Sequence, residues 1–446
     1  MVKRTFSFFL KKSRENPLVL PAVILAAVFY SGVLRVSFEK PCRALFPSQK
    51  ISRLSGSVVS NPVRVSGYKD SYRIKVKLDS VWTKEGAISQ AGGVAEVFVP
   101  TSLYEIYSPG KLYSAWRGEK IKFLMDSGAK VELLVVPKEV KGYRDKACRT
   151  KTEFHVTKIE KCVWQKSGVG FARGIFMRLQ KIRALSRLHF TRLMYAWGKA
   201  GGLVLALLSG SREYLSGGIS EAFRNAGLSH ILALSGMHLS LFSGMAFFLG
   251  RKTFGKRFAP AFEIFAIALF FWFAGKSPSL FRALVCSLCV IFSAIFHIKI
   301  KSMLNVLAFS FLLHVAIFPA DMFDLGFMLS YGALAGILCF NELIARPLSR
   351  IFPHHIKNSL AQSSGAQVFT IPICMKFFKV ITPIGIFASA AVSPIVTVFV
   401  YLSLAFIVLS LLCPFFAPIC GGVLGAFYLV LEKCVFIFAK FPRLKF

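Results

Sequence analysis

The sequence predicts a polytopic α-helical membrane protein with an externally exposed all-β domain near its N-terminus, and three observations predict it. The 446 residues are 55% hydrophobic, with 46 Phe, yet carry 56 Lys and Arg against 21 Asp and Glu, a net charge of +35. Those numbers conflict for a soluble protein and agree for a basic integral membrane protein. From residue 228 onward, long apolar runs follow one another with little interruption. Residues 50–165 lack such runs and alternate instead. Small secreted scaffolds, coiled coils and disordered tails are excluded by the same composition.

Residues 1–49 read as a basic cytoplasmic N-terminus and a signal anchor. Lys3, Arg4, Lys11, Lys12 and Arg14 precede an uncharged apolar run at about 17–34, which is at the lower end of spanning length. A cleaved signal peptide would look similar. With the basic flank inside, the chain emerges outside.

Residues 50–165 carry alternating stretches at Ile51 to Val59, Arg73 to Leu78, Val94 to Val99, Val131 to Val136 and Phe154 to Val163. Separated by Gly, Pro, Asn and Ser, they read as about five strands, the number a small Greek-key barrel of OB type needs. Other small barrels or sandwiches give the same pattern. Residues 166–200 then hold Arg173, Arg178, Lys181, Arg183, Arg187 and Arg192 and no acid, interleaved with Phe171, Ile175, Phe176, Leu179, Ile182 and Phe190. This reads as a basic amphipathic surface helix that lies on anionic lipid. Its cations are not confined to one side, so contact with protein or nucleic acid fits as well.

Residues 201–446 form a multi-helix membrane domain with runs at roughly 228–249, 258–275, 280–297, 303–319, 325–340, 365–381, 384–411 and 414–438. Basic clusters at Arg251 to Arg257, Lys299 to Lys301 and Arg346 to Lys357 occupy every second loop, which places those loops in the cytoplasm and the β-domain outside. Lys440, Arg443 and Lys445 would fall outside on this count, leaving the topology after 384 unsettled.

Motif templates for hydrolysis and metal binding find no match. Gly275-Lys276-Ser277 lacks the partner glycine of a phosphate loop, because position 270 is Phe270. The eight histidines take no metalloprotease or dinuclear spacing. Cys286 and Cys289 form C-x-x-C inside an apolar segment, where core packing explains them better than zinc. No cofactor and no metal are expected. Cys42, Cys148 and Cys162 lie in the exported part, and Cys148 with Cys162 could form a disulfide there.

Three polar, glycine-rich stretches fall at membrane depth, where each polar group needs a partner or a water-filled cavity. The first contains His230, Ser235, Gly236, His238 and Ser240, with Gly236, Ser240 and Gly244 recurring every four residues. The second contains Lys276, Ser279 and Arg282, and the third Asp324 and Ser330. Each can be helix-packing glue; three in one bundle point toward a polar pathway.

At these residues the sequence resembles the ComEC family of competence proteins. Phe223-Arg224-Asn225-Ala226-Gly227-Leu228-Ser229-His230-Ile231-Leu232-Ala233-Leu234-Ser235-Gly236-Met237-His238 is similar to that family's signature, preceded by a Leu-Leu-x-Gly turn at Leu207 to Gly210. The turn at Pro278 to Ala283 and the Gly326 to Ser330 stretch resemble two further blocks in the same order. The block Pro372 to Pro394 also resembles a late family region, with Ser389 where Asn is usual. The resemblance implies an inner-membrane channel that imports single-stranded DNA during natural transformation. Many members continue into a metallo-β-lactamase-like domain; this chain is expected to be a short form lacking those ligands, with any nuclease a separate protein.

The implied partners are single-stranded DNA, membrane lipid, a separate cytosolic ATPase or strand-binding protein, a separate DNA-delivery protein on the outer side, and a second copy of the chain. A motor partner is needed because moving a strand into a negative interior costs about 2.3 kcal/mol per charge per 100 mV. Tyr68, Tyr72, Trp82, Tyr104 and Tyr107 are candidates for base stacking; barrel core or an interface belt is the simpler role, favoured for Trp82. The alternative is a transporter of another polymer or anionic solute on the same scaffold. A third reading, an intramembrane hydrolase using His230, Ser235 and His238, has only Glu213 and Glu221 nearby as orienting acids.

Overall fold

A computed structural model describes residues 16–31, 47–65, 71–100, 103, 125–141, 150–164, 171–212, 214–234, 236–348 and 353–445. Ser235, Cys42, Cys148, Tyr68, Tyr104, Tyr107 and Glu213 lie outside the described residues, as does the basic segment 1–14. The chain forms two compact units, one of residues 37–201 with 211–213, the other of residues 1–36, 202–210 and 214–446.

The first unit holds strands β1 (Ile51–Val58), β2 (Val63–Val65), β3 (Ser71–Thr83), β4 (Ile88–Gln90), β5 (Val94–Pro100), β6 (Lys130–Lys141) and β7 (Thr150–Val163). Strand β1 runs antiparallel to both β3 and β6, β3 pairs antiparallel with β5, and β6 pairs antiparallel with β7. The ring closes where β5 and β7 run parallel, Val97 opposite Phe154 and Phe98 opposite His155. This is a closed five-strand barrel in the order β1-β3-β5-β7-β6, the OB-like topology, with the short β2 and β4 paired to β3. The five strands are those read from alternation. Their inward positions, among them Leu54, Ile74, Val76, Val97, Leu133 and Phe154, form one buried apolar core. In β1 the register slips at Gly56, where a Cβ would stand 2.2 Å from the Lys77 carbonyl oxygen, so only glycine fits.

Helix α2 (Phe171–Ala196) belongs to this unit. Its inner face mixes polar contacts with buried apolar side chains. The side-chain oxygen of Gln180 occupies the place a Cβ would take on Gly128, Arg183 Nη2 donates to Asn61 Oδ1 at 3.3 Å, and Arg187 Nε lies 3.5 Å from Asp126 Oδ2. Ala184 and Leu188 are buried, while Ile175, Phe176, Leu179 and Ile182 are exposed. The apolar side chains near the helix start therefore face out, and two arginines face in.

The second unit holds α1 (Val19–Tyr30), part of α3 (Gly198–Ser209), α4 (Gly217–Asn225), α5 (Ser229–Leu232), α6 (Gly236–Phe254), α7 (Ala259–Ala274), α8 (Pro278–Ile295), α9 (Met303–Ile317), α10 (Leu325–Leu348), α11 (His354–Phe378), α12 (Gly385–Leu412) and α13 (Ala417–Ala439). Each of the eight apolar runs from 228 onward contains a helix. Among the described residues, four helical segments are long and apolar enough to span a membrane: Pro278–Ile295, Leu325–Leu348, Gly385–Leu412 and Pro414–Ala439. The run expected at 228–249 is broken: α5 makes one turn, the chain extends at Ala233, and α6 begins only at Gly236.

Local chemistry sets the helix ends. Gly227, at φ +74°, turns the chain after α4 and packs against Gly385, and a Cβ there would also meet Thr382. Ser277 caps α8 by accepting from the Leu280 amide, with Pro278 at its first position. Asp324 Oδ1 accepts from the amides of Gly326 and Phe327 at the start of α10. Helices α10 and α11 cross at Gly336 and Gly365, where a Cβ on Gly336 would stand 2.2 Å from the Gly365 carbonyl oxygen. Strands β8 (Val380–Ile381) and β9 (Leu444–Lys445) pair antiparallel, so the chain after α13 returns to the end at which α12 begins. Tyr30 Oη, at the end of α1, donates to the Met322 carbonyl at 2.9 Å, and Phe29 meets Phe323 with ring centroids 6.3 Å apart.

Candidate functional site

The expected polar residues of the membrane unit separate into those that converge and those that serve local structure. Arg282, on the first turn of α8, sends Nη1 to the Ser330 carbonyl of α10 at 2.6 Å. Its Nη2 lies 2.7 Å from where a Cβ on Gly236 would be, so the glycine at the start of α6 leaves room for the guanidinium. Three of the sequence's polar stretches thus meet at Gly236, Arg282 and Ser330. His238, two residues further along α6, is buried. His230 donates to the Gly227 carbonyl next to α5. Ser240 Oγ donates to the Gly236 carbonyl within its own helix, Ser279 is half-buried on α8, and Asp324 is the cap already described. Gly244 has open space around its Cβ position, so the four-residue spacing of Gly236, Ser240 and Gly244 is not a helix crossing.

Lys276 leads into a second group that the motif search does not reach. Its Nζ lies 2.9 Å from Asp321 Oδ2 and 3.7 Å above the centre of the Phe318 ring. The same carboxylate oxygen lies 3.1 Å from His314 Nε2, and His314 Nδ1 lies 3.2 Å from Tyr331 Oη. Tyr331 Oη is within 3.1 Å of both Ser310 Oγ and the Ser310 carbonyl oxygen. His314 and Ser310 are 0% exposed, and the rings of Phe281, Phe318 and Phe327 surround the imidazole at centroid distances of 4.7, 6.1 and 4.9 Å. On α7, Glu263 accepts a hydrogen bond from Ser243 of α6. An ionisable residue inside an apolar run is itself a signal, and both His314 and Glu263 carry it.

The barrel presents a different kind of site. Arg73 of β3, Phe98 of β5, His155 of β7 and Val136 of β6 stand side by side across four strands. Phe98 and His155 stack with centroids 5.3 Å apart and planes 19° from parallel. Arg73 and Val136 are exposed, and Lys77 lies on the same outer face of β3. Of the aromatics expected to stack bases, Tyr72 is buried in the core. Trp82 is not core: it sits outward with the Arg53 guanidinium 5.0 Å from its ring, and Arg53 in turn pairs with Glu132 at 2.9 Å and Glu160 at 2.7 Å.

The basic helix keeps only part of its charge available. Arg178 and Lys181 are exposed, and Arg192 is half-buried. Arg183 and Arg187 are occupied by Asn61 and Asp126; burial lowers the Arg183 pKa, the Arg187 charge adds to this, and Asp126 opposes it. Arg173 lies in α2 with its side chain outside the described residues. Cys162 is half-buried on β7, opposite Val131 of β6, and its expected partner Cys148 is outside the described residues.

No solved structure matches the chain. The chain is similar to "ComE operon protein 3" of Bacillus subtilis (strain 168), at 24% identity over 182 residues, which is 40% of this chain and 22% of that protein. The match therefore spans well under two thirds of that relative's length. A profile of the Competence protein family matches residues 207–445, from the Leu-Leu-x-Gly turn through all the long apolar helices to β9. That match covers more than half of the chain and contains the Gly236–Arg282–Ser330 junction, so this membrane protein belongs to the ComEC family of competence proteins.

Proposed function

We propose that the protein is the inner-membrane conduit for single-stranded DNA during natural transformation, acting as a channel and not as an enzyme. The observation that carries this reading is the family match over the membrane unit, in a chain whose other unit is an OB-like barrel. OB barrels bind single strands by combining cations with aromatic platforms on an outer face. Arg73, Lys77 and the Phe98–His155 stack are of that kind. On this reading the barrel and the exposed cations Arg178 and Lys181 receive the strand on the outer side. The strand's charge makes binding salt-dependent, with a slope of roughly 0.7 per phosphate neutralised. Within the membrane unit, Arg282 is the half-buried cation at the junction of three helices, where a phosphate would find a fixed donor. The N-terminus and the basic loops lie in the cytoplasm, and a separate cytosolic ATPase or strand-binding protein supplies the pull.

The test is uptake of end-labelled DNA into a nuclease-protected cytoplasmic pool, in a deletion strain complemented with wild type or His238→Ala. Loss of protected DNA with surface binding intact supports the conduit. Undiminished uptake in the deletion refutes it and favours a transporter of another anionic solute.

A further inference from the structure

The chain Lys276–Asp321–His314–Tyr331–Ser310 has a property that the packing of helices does not require. Its central imidazole can be either neutral or charged without leaving a hydrogen-bonding group unmatched. When His314 is neutral, Nε2–H donates to Asp321 Oδ2 at 3.1 Å, and Nδ1 accepts the Tyr331 hydroxyl at 3.2 Å. Ser310 Oγ then donates to Tyr331 Oη at 3.1 Å. When His314 is charged, both ring nitrogens donate, Nδ1–H now to Tyr331 Oη, and the Tyr331 hydroxyl turns to the Ser310 carbonyl, also at 3.1 Å. One proton is gained at Nδ1, one O–H reverses direction, and each group keeps a partner.

The groups around the imidazole divide by element. Asp321, from the 3₁₀ turn Pro319–Phe323, supplies the counter-charge. Lys276, from the turn before α8, supplies an opposing charge beside the same carboxylate, 2.9 Å from Oδ2 and 3.2 Å from Oδ1. Helix α8 contributes Arg282, whose carbonyl oxygen lies 3.4 Å from Ser310 Oγ, and Cys286, whose thiol is close enough to Ser310 to interact with it. From α10 comes Tyr331, with Asp324 engaged in capping that helix, and from α1 comes Tyr30, bound to the Met322 carbonyl. The two ends differ in access: the Lys276 side chain is 42% exposed and Asp321 18%, while His314 and Ser310 are fully enclosed. Among the described residues, the accessible end of the chain of groups is the Lys276–Asp321 end.

We propose that His314, held between Asp321 and Tyr331, is a proton-binding site of the membrane unit, loaded through the Lys276–Asp321 end. Lys276 Nζ lies 3.2 Å from Asp321 Oδ1 and 2.9 Å from Oδ2, so lysine and imidazolium compete for one carboxylate: a proton on His314 weakens the Lys276–Asp321 pair, and loss of the Lys276 charge favours the proton. The lysine lies just before Arg282 in sequence, so this exchange reaches the helix start that holds the Gly236–Arg282–Ser330 junction. Coupling of the proton to transport rests on the conduit reading; the binding site itself does not.

The experiment is a pH titration of the full-length protein in lipid vesicles, with ¹⁵N-labelled histidine read by solid-state NMR between about pH 8 and about pH 5. In wild type, one imidazole that His314→Gln removes converts to imidazolium within this range. Tyr331→Phe keeps the ring and deletes the acceptor for Nδ1–H, and the conversion then needs about tenfold more protons. Lys276→Met changes an exposed side chain, so it keeps the test usable where a buried variant fails to fold, and it makes the conversion need about tenfold fewer. An imidazole at 314 that stays neutral throughout, or a midpoint that neither Tyr331→Phe nor Lys276→Met moves, overturns the proposal. None of these readouts uses DNA, so a failed uptake test and a failed titration are distinct results.

Discussion

The barrel and the membrane unit are built on opposite rules. In the barrel, the side chains that point in are Leu54, Ile74, Val97, Leu133 and Phe154, and the charges point out. In the membrane unit the buried set includes His238, Ser310, His314, Ser389 and Ser403, while Phe248, Phe265, Phe296 and Leu412 are more than 60% exposed. Water rewards the first arrangement through the hydrophobic effect, whereas hydrocarbon offers apolar side chains no reason to hide and polar groups no partner outside. Chemistry is accordingly found on the outer face of one unit and in the interior of the other. The inner face of α2 is a partial exception, because Arg187 meets Asp126 in a pair only 15% and 10% exposed.

Substitutions can break or sharpen that contrast. The largest effect is expected from Phe154→Ala, which empties the centre of the barrel core and should cost about 4 kcal/mol. Hydrogen exchange of barrel amides in the full chain measures it, and the amides of α10 and α11 should not respond. Next is Asp126→Ala, which removes the carboxylate facing Arg187 in a mostly enclosed pair and should cost about 3 kcal/mol by the same measurement, centred on α2. Phe98→Ala should leave stability nearly unchanged and weaken binding of an oligo-dT strand about tenfold at low salt, as expected for loss of one stacking platform. The smallest effect is expected from Ser240→Ala: its hydroxyl bonds its own helix, so thermal stability and DNA uptake should stay within about 0.5 kcal/mol of wild type. A large loss there would mean that Ser240 faces the conduit.

The parts of the structure legible in the sequence are those written in local periodicity. Alternation from Arg73 to Leu78 and from Val94 to Val99 marks β3 and β5, and apolar runs mark α6 to α13. Ring closure is not local: Phe98 and His155 meet across 57 positions in a parallel pairing. The start of α6 is concealed because Leu232, Ala233 and Leu234 stay apolar through the break. The two-sided charge of α2 is visible in the sequence, but its reason is not, since Asn61 and Asp126 lie far back in the chain. The His314–Asp321 pair also has a local mark in the sequence. Screening histidines against catalytic and metal spacings passes over a lone histidine in an apolar helix followed seven residues later by Asp321, and Tyr331 completes the set only once α9 and α10 pack.

The bond from Tyr30 to the Met322 carbonyl bears on how the protein is made. The two residues are 292 positions apart, and at about 5–20 residues per second the ribosome needs on the order of 15–60 s to pass from one to the other. Helix α1 must therefore wait, its tyrosine without this partner, until the turn carrying Asp321 has been made. Assembly of this unit is thus a late closure of its beginning onto its middle, and a lesion at Tyr30 should appear as slow maturation of the membrane unit before it appears as any loss in the finished protein.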